Sequence, residues 1–168
     1  GKRLLMGGES GWKWTYDMTD YAPILKGNRF VTVGNNQELL DLKFLFIKGT
    51  PPRNILKVEN IYPYGHHKYG SLADDELLKK TTLHLDPTAS GVKMKAVISG
   101  HGHAGPRNCC EWDSKTHTYY MDDWELFRWN VWKDCGNNPI YPQGGTWPFD
   151  RAGWCPGTKV DEYEFELT

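Results

Sequence analysis

The plainest pattern in the chain lies at its end, where Tyr163, Phe165 and Leu167 alternate with Glu162, Glu164 and Glu166. Successive side chains of a strand point to opposite faces, so a period of two predicts a strand with one face buried. The acids read as its solvated face. Lys115 to Met121 and Trp124 to Trp132 also alternate and predict two further strands. Val92 to Ser99 predicts another. Thr81 to Leu85 precedes it across the turn-rich run Asp86-Pro87-Thr88-Ala89-Ser90-Gly91. Upstream, the apolar run Leu42 to Ile47 is stopped by Gly49-Thr50-Pro51-Pro52, and Asn54 to Tyr62 follows as a strand. Asp74 to Lys80 has room for one helical turn, too short to be stable alone. Short strands divided by Gly and Pro turns predict an all-β chain folded as a sandwich or jelly roll.

Composition narrows the partners. The chain has 168 residues, 39% hydrophobic and 24% charged, enough for one domain or a domain plus a fragment. A net charge of -1 argues against a nucleic acid held by phosphate neutralisation and against anionic lipid. No apolar run approaches the roughly 20 residues that span a bilayer, so no membrane partner is expected. Eight Trp and nine Tyr are many for this length. Such side chains fill cores, and they also form the amphipathic walls on which sugars stack.

Two segments concentrate chemically capable residues. One is Arg107-Asn108-Cys109-Cys110-Glu111-Trp112, followed by Thr116-His117-Thr118; the other is Asp150-Arg151-Ala152-Gly153-Trp154-Cys155-Pro156-Gly157. An acid beside Trp and Cys, and an Arg beside Trp and Cys, predict a rigid polar cleft with aromatic walls. Glu111, flanked by Cys110 and Trp112, is expected to be partly shielded from water; the alternative is a surface glutamate. The Arg151 fork suits an amide carbonyl, a carboxylate or a pair of sugar hydroxyls. Its structural alternative is a salt bridge to Asp150 or Asp161. Trp112 and Trp154 either wall the cleft or pack in the core. Gly153 and Gly157 are expected to permit close approach or left-handed backbone. Of the four cysteines, Cys135 and Cys155 lie in Gly/Asn/Pro-rich loops and are expected to pair, with free thiols as the alternative. A structural disulfide implies an oxidising compartment, hence secretion or the periplasm. Cys109 and Cys110 are adjacent, and adjacent cysteines seldom bond each other, so one of them is expected to be free or bonded elsewhere.

These motifs, with Ile98-Ser99-Gly100-His101-Gly102-His103 upstream, resemble the peptide-N-glycosidase F family, amidases that strip N-linked glycans from glycoproteins. The resemblance runs from near Tyr16 almost to the end, and its most specific element is the Asp-Arg-Ala-Gly-Trp-Cys-Pro-Gly run. The family has two eight-stranded antiparallel jelly rolls side by side. The resemblance implies that residues 1–48 are the last part of the first jelly roll. Residues 49–53 would be the connector, and residues 54–168 the second jelly roll without its final strands. It implies that the missing segments come from a longer protein or another chain. It also supports the Cys135–Cys155 pair. In the family a further cysteine closes a small loop around the Glu-Trp pair; Asp113 stands at that place.

The resemblance implies a site as well. Glu111 matches a family glutamate that acts through a water, and Arg151, Trp112 and Trp154 match active-site segments. His103 matches a cleft histidine, and His101 stands where the family shows a tryptophan. The family's principal acid is an aspartate in a Cys-Asp-x-Trp-Asp-like stretch, which nothing in this chain matches. A second family glutamate aligns with the apolar Phe30 to Val33. One of three expected acids is therefore present, and the chain alone is expected to be inactive. The implied substrate is an N-glycosylated protein or glycopeptide, and no metal or organic cofactor is implied. Two other readings stand beside this one. A glycan- or glycoprotein-binding module would keep the cleft without the acids. Alternatively His101, His103, His117 and Met121 resemble the copper ligands of jelly-roll peptidylglycine monooxygenases, since imidazole and thioether suit copper.

Overall fold

The computed structural model describes residues 12–33, 40–103, 110–138 and 145–167. Four strands are assigned among them: β1 (Lys93–Val97), β2 (Lys115–Met121), β3 (Trp124–Val131) and β4 (Glu162–Glu166). β2 and β3 form an antiparallel hairpin running from the Lys115↔Val131 pair to Met121↔Trp124. Asp122 and Asp123 turn it with φ of 50° and 68°. Two positive φ values in a two-residue loop follow the right-handed twist of the flanking strands. The register slips once, where Tyr119 faces Phe127 and Tyr120 faces Glu125, leaving Leu126 as an extra residue. β1 pairs antiparallel with β4, from Lys93↔Glu166 to Val97↔Glu162.

The two ladders face each other through aromatic side chains. Phe165 of β4 stacks on Phe127 of β3 at 4.7 Å between ring centroids and lies 4.7 Å from Trp129. Trp129 also meets Tyr163 and His117. The alternation read from the sequence thus turns the right residues inward. The class is all-β, with two antiparallel two-stranded sheets among the described residues.

Several expectations fail locally. Leu42 to Ile47, Asn54 to Tyr62 and Thr81 to Leu85 carry no assigned strand. A strand needs a neighbour for its backbone donors and acceptors, and apolarity alone provides none. The helical turn is Tyr69–Ala73 (α1), just ahead of the predicted Asp74 to Lys80. A 3-10 helix at Thr19–Leu25, which the pattern did not reveal, begins where Asp17 accepts hydrogen bonds from the Thr19 N–H and hydroxyl. The acids of β4 are not simply solvated either. Glu164 receives Lys93 Nζ at 2.8 Å and Lys95 Nζ at 2.7 Å from the facing strand.

The buried residues gather outside the regular ladders. Among the described residues, Val131, Cys135, Trp147, Ala152 and Cys155 are the buried apolar side chains, joined by Asn138 and Arg151. All but Val131 lie in the loops that follow β3.

Candidate functional site

The site starts where β3 ends. Two residues beyond Val131, Lys133 forms an antiparallel bridge with Arg151: its N–H donates to Arg151 O at 2.7 Å and its carbonyl accepts from Arg151 N at 3.0 Å. Cys135 then bonds Cys155, with their Cα atoms 5.5 Å apart, as the sequence predicts. Closing a loop with a separation of 20 residues contributes about 3 kcal/mol in the chain-entropy model. Asp150 accepts the Cys135 N–H at 3.0 Å, and Asn138 donates to Pro156 O at 2.7 Å. The Asp-Arg-Ala-Gly-Trp-Cys segment is thereby fixed at both ends.

Three loop segments are stitched to one another. Ala152 accepts from Gly100 N at 2.9 Å and donates to Glu111 O at 3.0 Å. Gly102 O accepts from the N–H groups of both Cys110 and Glu111 at 2.7 Å. Such proximity requires glycine. A Cβ on Gly100 would overlap the Cys110 carbonyl and the Ala152 Cβ. Gly153 has φ +76°, and a Cβ there would lie 2.5 Å from Ile98 O and 2.9 Å from Val131 Cγ1.

Arg151 lies at the centre, 2% exposed. Its Nε donates to Glu111 Oε1 at 2.9 Å. Nη1 reaches the Trp147 and Phe149 carbonyls at 3.2 and 3.4 Å, and Nη2 reaches Thr146 O and Oγ1 at 2.8 and 3.1 Å. A guanidinium has five N–H groups, and five acceptors surround this one. Trp112 and Trp154 flank it at 4.5 and 4.8 Å from their ring centroids, within cation–π range. The Trp154 indole donates to Gly100 O at 2.8 Å, and His101 packs on the same indole at 4.7 Å. Phe149 meets Trp112 edge-on. Two indoles thus flank a guanidinium that holds one carboxylate, with His101 packed on one of the indoles.

The sequence-predicted residues converge, with one change of role. Glu111, Arg151, Trp112, Trp154 and His101 form one cluster. His103 is exposed and bridges to Cys110 at its edge. Arg151 does not present its fork to the outside, because every donor is engaged below the surface. Nor does it bridge Asp150 or Asp161: the first caps Cys135, and the second takes Lys133 Nζ at 2.5 Å. Its carboxylate partner is Glu111, whose side chain is 19% exposed and so reaches the surface. Cys110 is disulfide-bonded, while Arg107, Asn108 and Cys109 lie outside the described residues. Asp113 pairs with Lys115. The copper reading gains no geometry: among the described residues no three His, Cys, Asp or Glu side chains are grouped as metal ligands. His101 meets Trp154, whereas His117 sits against Trp129 in the sandwich, where burial lowers its pKa.

Sequence reading missed Thr146, Trp147 and Phe149, which supply four of the five acceptors around Arg151. Their signal was the Gly145-Thr146-Trp147-Pro148-Phe149 turn directly before the motif. Gly100 belongs to the Ile98–His103 motif, and its role as a backbone contact carries no side-chain signal. Among the described residues, no helix is long and apolar enough to cross a membrane.

A family model described as peptide-N-glycosidase F, C terminal, matches residues 68–168. The peptide-N(4)-(N-acetyl-beta-D-glucosaminyl)asparagine amidase F of Elizabethkingia miricola is 29% identical over 171 residues, covering 90% of this chain and 48% of that protein. The chain therefore spans about half the length of this relative. A solved glycosylasparaginase from Flavobacterium meningosepticum is 35% identical, with a TM-score of 0.47, covering 54% of this chain and 33% of that one. A structure of the amidase at 2.2 Å resolution matches to the same extent. Through the match over residues 68–168, the chain belongs to the peptide-N-glycosidase F family, in the part that forms its C-terminal domain.

Proposed function

We propose that this chain supplies part of the active site of a peptide-N-glycosidase. The enzyme would hydrolyse the amide between asparagine and N-acetylglucosamine of an N-glycosylated protein or glycopeptide, yielding aspartate and a glycosylamine. The observation that carries the reading is the saturated, buried Arg151 holding Glu111. A carboxylate aligned by a charge-assisted bond, yet still reaching the surface, can accept a hydrogen bond from a water and orient it toward an amide carbon. Arg151 is then a positioning residue that fixes Glu111. Trp112, 36% exposed, offers an indole face to the apolar side of a sugar ring. His101 and His103 stand at the exposed rim.

The remaining acids would come from the first jelly roll, of which residues 1–48 are the last part. Residues 49–53 are the connector and residues 54–168 the second jelly roll. The Cys135–Cys155 bond supports a secreted or periplasmic location. A non-catalytic glycan-binding module is the second reading. The exposed Trp112 indole would serve such a module equally well.

The test uses the natural full-length protein on a denatured glycoprotein. Glu111→Gln keeps shape and glycan contacts while removing the carboxylate, so deglycosylation should fall by roughly 10²-fold or more. Full activity in that variant would make Glu111 structural. Glycopeptide binding without turnover in the unmodified protein would establish the binding module instead.

A further inference from the structure

The outer face of the β1–β4 ladder carries a network of charges that also involves the N-terminal segment. Lys95 of β1 reaches Glu164 at 2.7 Å, Asp20 of the 3-10 helix at 3.3 Å and Glu162 at 3.6 Å. Its ammonium lies 5.2 Å from the Tyr21 ring centroid, and the Tyr21 hydroxyl donates to Glu162 at 2.8 Å. Lys93 joins Glu164 and Glu166 at 2.8 and 3.1 Å. Arg53 bridges Asp20 at 3.3 Å and Glu166 at 3.6 Å. Asp17 lies close enough to feel both Lys95 and Arg53. The side chains of Asp20, Lys93 and Lys95 are 17%, 17% and 18% exposed, although the flanking N-terminal residues are largely open to solvent. Acids and bases alternate across four chain segments that are far apart in sequence, with the Tyr21 ring beside the central ammonium.

We propose that this face is an electrostatic latch, seating the 3-10 helix and Arg53 on the sheet that leads into the site. β1 ends at Val97, three residues before Gly100, whose backbone bonds both Ala152 and Trp154. The latch therefore fixes residues 19–25 and 53 relative to the strand that delivers the site loop. A surface pair contributes little singly; a shared network with half-shielded partners contributes more. Hydrogen bonds from Lys93 and Lys95 hold the Glu164 carboxyl at about 2, so the ladder pairs on which the latch is built withstand mild acid. On Lys95, burial works against the charge, yet Glu164, Glu162 and Asp20 outweigh it and raise the pKa. The latch does not depend on the amidase reading. If that reading holds, the latch sets how first-jelly-roll residues are presented to Glu111.

Amide hydrogen exchange of residues 20–25 in the full chain, followed by mass spectrometry from milliseconds to seconds, tests it. Asp20→Asn and Lys95→Met should each speed exchange about 2- to 5-fold, the scale of one lost ion pair. The double variant should fall short of the product of the two, because both remove one shared contact. Amides of β2 and β3 serve as the folding control and should be unchanged. Raising salt from 0.05 to 0.5 M should speed exchange of residues 20–25 in the unmodified chain, a measurement that needs no variant. Multiplicative single effects, or exchange indifferent to salt, would overturn the latch. Glycosidase activity enters neither measurement, so its failure would be separately visible.

Discussion

The loops around the Cys135–Cys155 disulfide and the apolar run Leu42 to Ile47 differ in a way that hydrophobicity does not anticipate. In the first an arginine is 2% exposed, and in the second Phe46 is 90% exposed. The loops are irregular in backbone, yet their polar groups find partners in one another: the Lys133–Arg151 bridge, the Ala152 stitch and the five acceptors around Arg151. The apolar run carries no assigned strand and pairs with none. Burial in this chain follows the closure of hydrogen bonds and cross-links more closely than side-chain apolarity. Removing a residue from the first region should therefore be costly, and altering one in the second nearly free.

The largest effect is expected at Arg151. Arg151→Met would leave the Glu111 carboxylate partly buried without its counter-charge and strand the carbonyls of Thr146, Trp147 and Phe149. Breaking a buried pair from one side costs about 3–5 kcal/mol. Urea unfolding should show that loss, and a loss below about 1 kcal/mol would show that the loops are held mainly by other contacts. Next comes the disulfide. Replacing Cys135 and Cys155 together by Ser should cost about 3 kcal/mol, read in the same assay. If the two variants together cost no more than either alone, the disulfide and Arg151 hold a single cooperative unit.

Acid should weaken the sandwich in two stages. Burial lowers the His117 pKa below its ordinary 6.5, so the folded state favours the neutral ring. The unfolded chain then binds the extra proton, and stability falls as the pH drops below about 6.5. Glu164 is ionised in the folded chain down to about 2, against an ordinary 4.5. Its contribution is complete above 4.5 and is lost from there toward 2. Unfolding free energy measured against pH should therefore decline from near neutrality and again below 4.5. His117→Asn should flatten the first decline and leave the second. The smallest effect belongs to the other region: Phe46→Ser should change stability by less than about 0.5 kcal/mol. A clear destabilisation there would mean that the run is packed, and the contrast would collapse.

The strands that the sequence revealed are those with period-two alternation and a partner within the chain. β2 agrees with its predicted bounds, and β1, β3 and β4 lie within theirs. The failures, Leu42 to Ile47 above all, are runs whose local pattern is sound but which carry no ladder among the described residues. At the site, residue type located Glu111, Arg151 and the two indoles, since costly residues close together mark a built environment. Type could not say which way the guanidinium faces. Its ligands are mostly backbone carbonyls, and a carbonyl carries no sequence signature. The same limit hid the latch: Glu162, Glu164 and Glu166 read as wet acids because Lys93 and Lys95 lie across a ladder, 71 residues from Glu164 for Lys93.

The Asp122-Asp123 turn bears on the order of assembly. It joins β2 to β3 through a loop of two residues, so the hairpin can close within microseconds of the chain becoming available. The β1–β4 ladder must instead bring together residues some 70 positions apart, and the entropy of that closure is met before any contact rewards it. The hairpin, carrying Phe127 and Trp129 already aligned, offers the apolar surface on which Phe165 lands. The Lys133–Arg151 bridge lies just beyond its end, so the loops of the site gain their anchor before β4 arrives. The turn at the closed end of the hairpin thereby sets the order in which the loops at its other end are built.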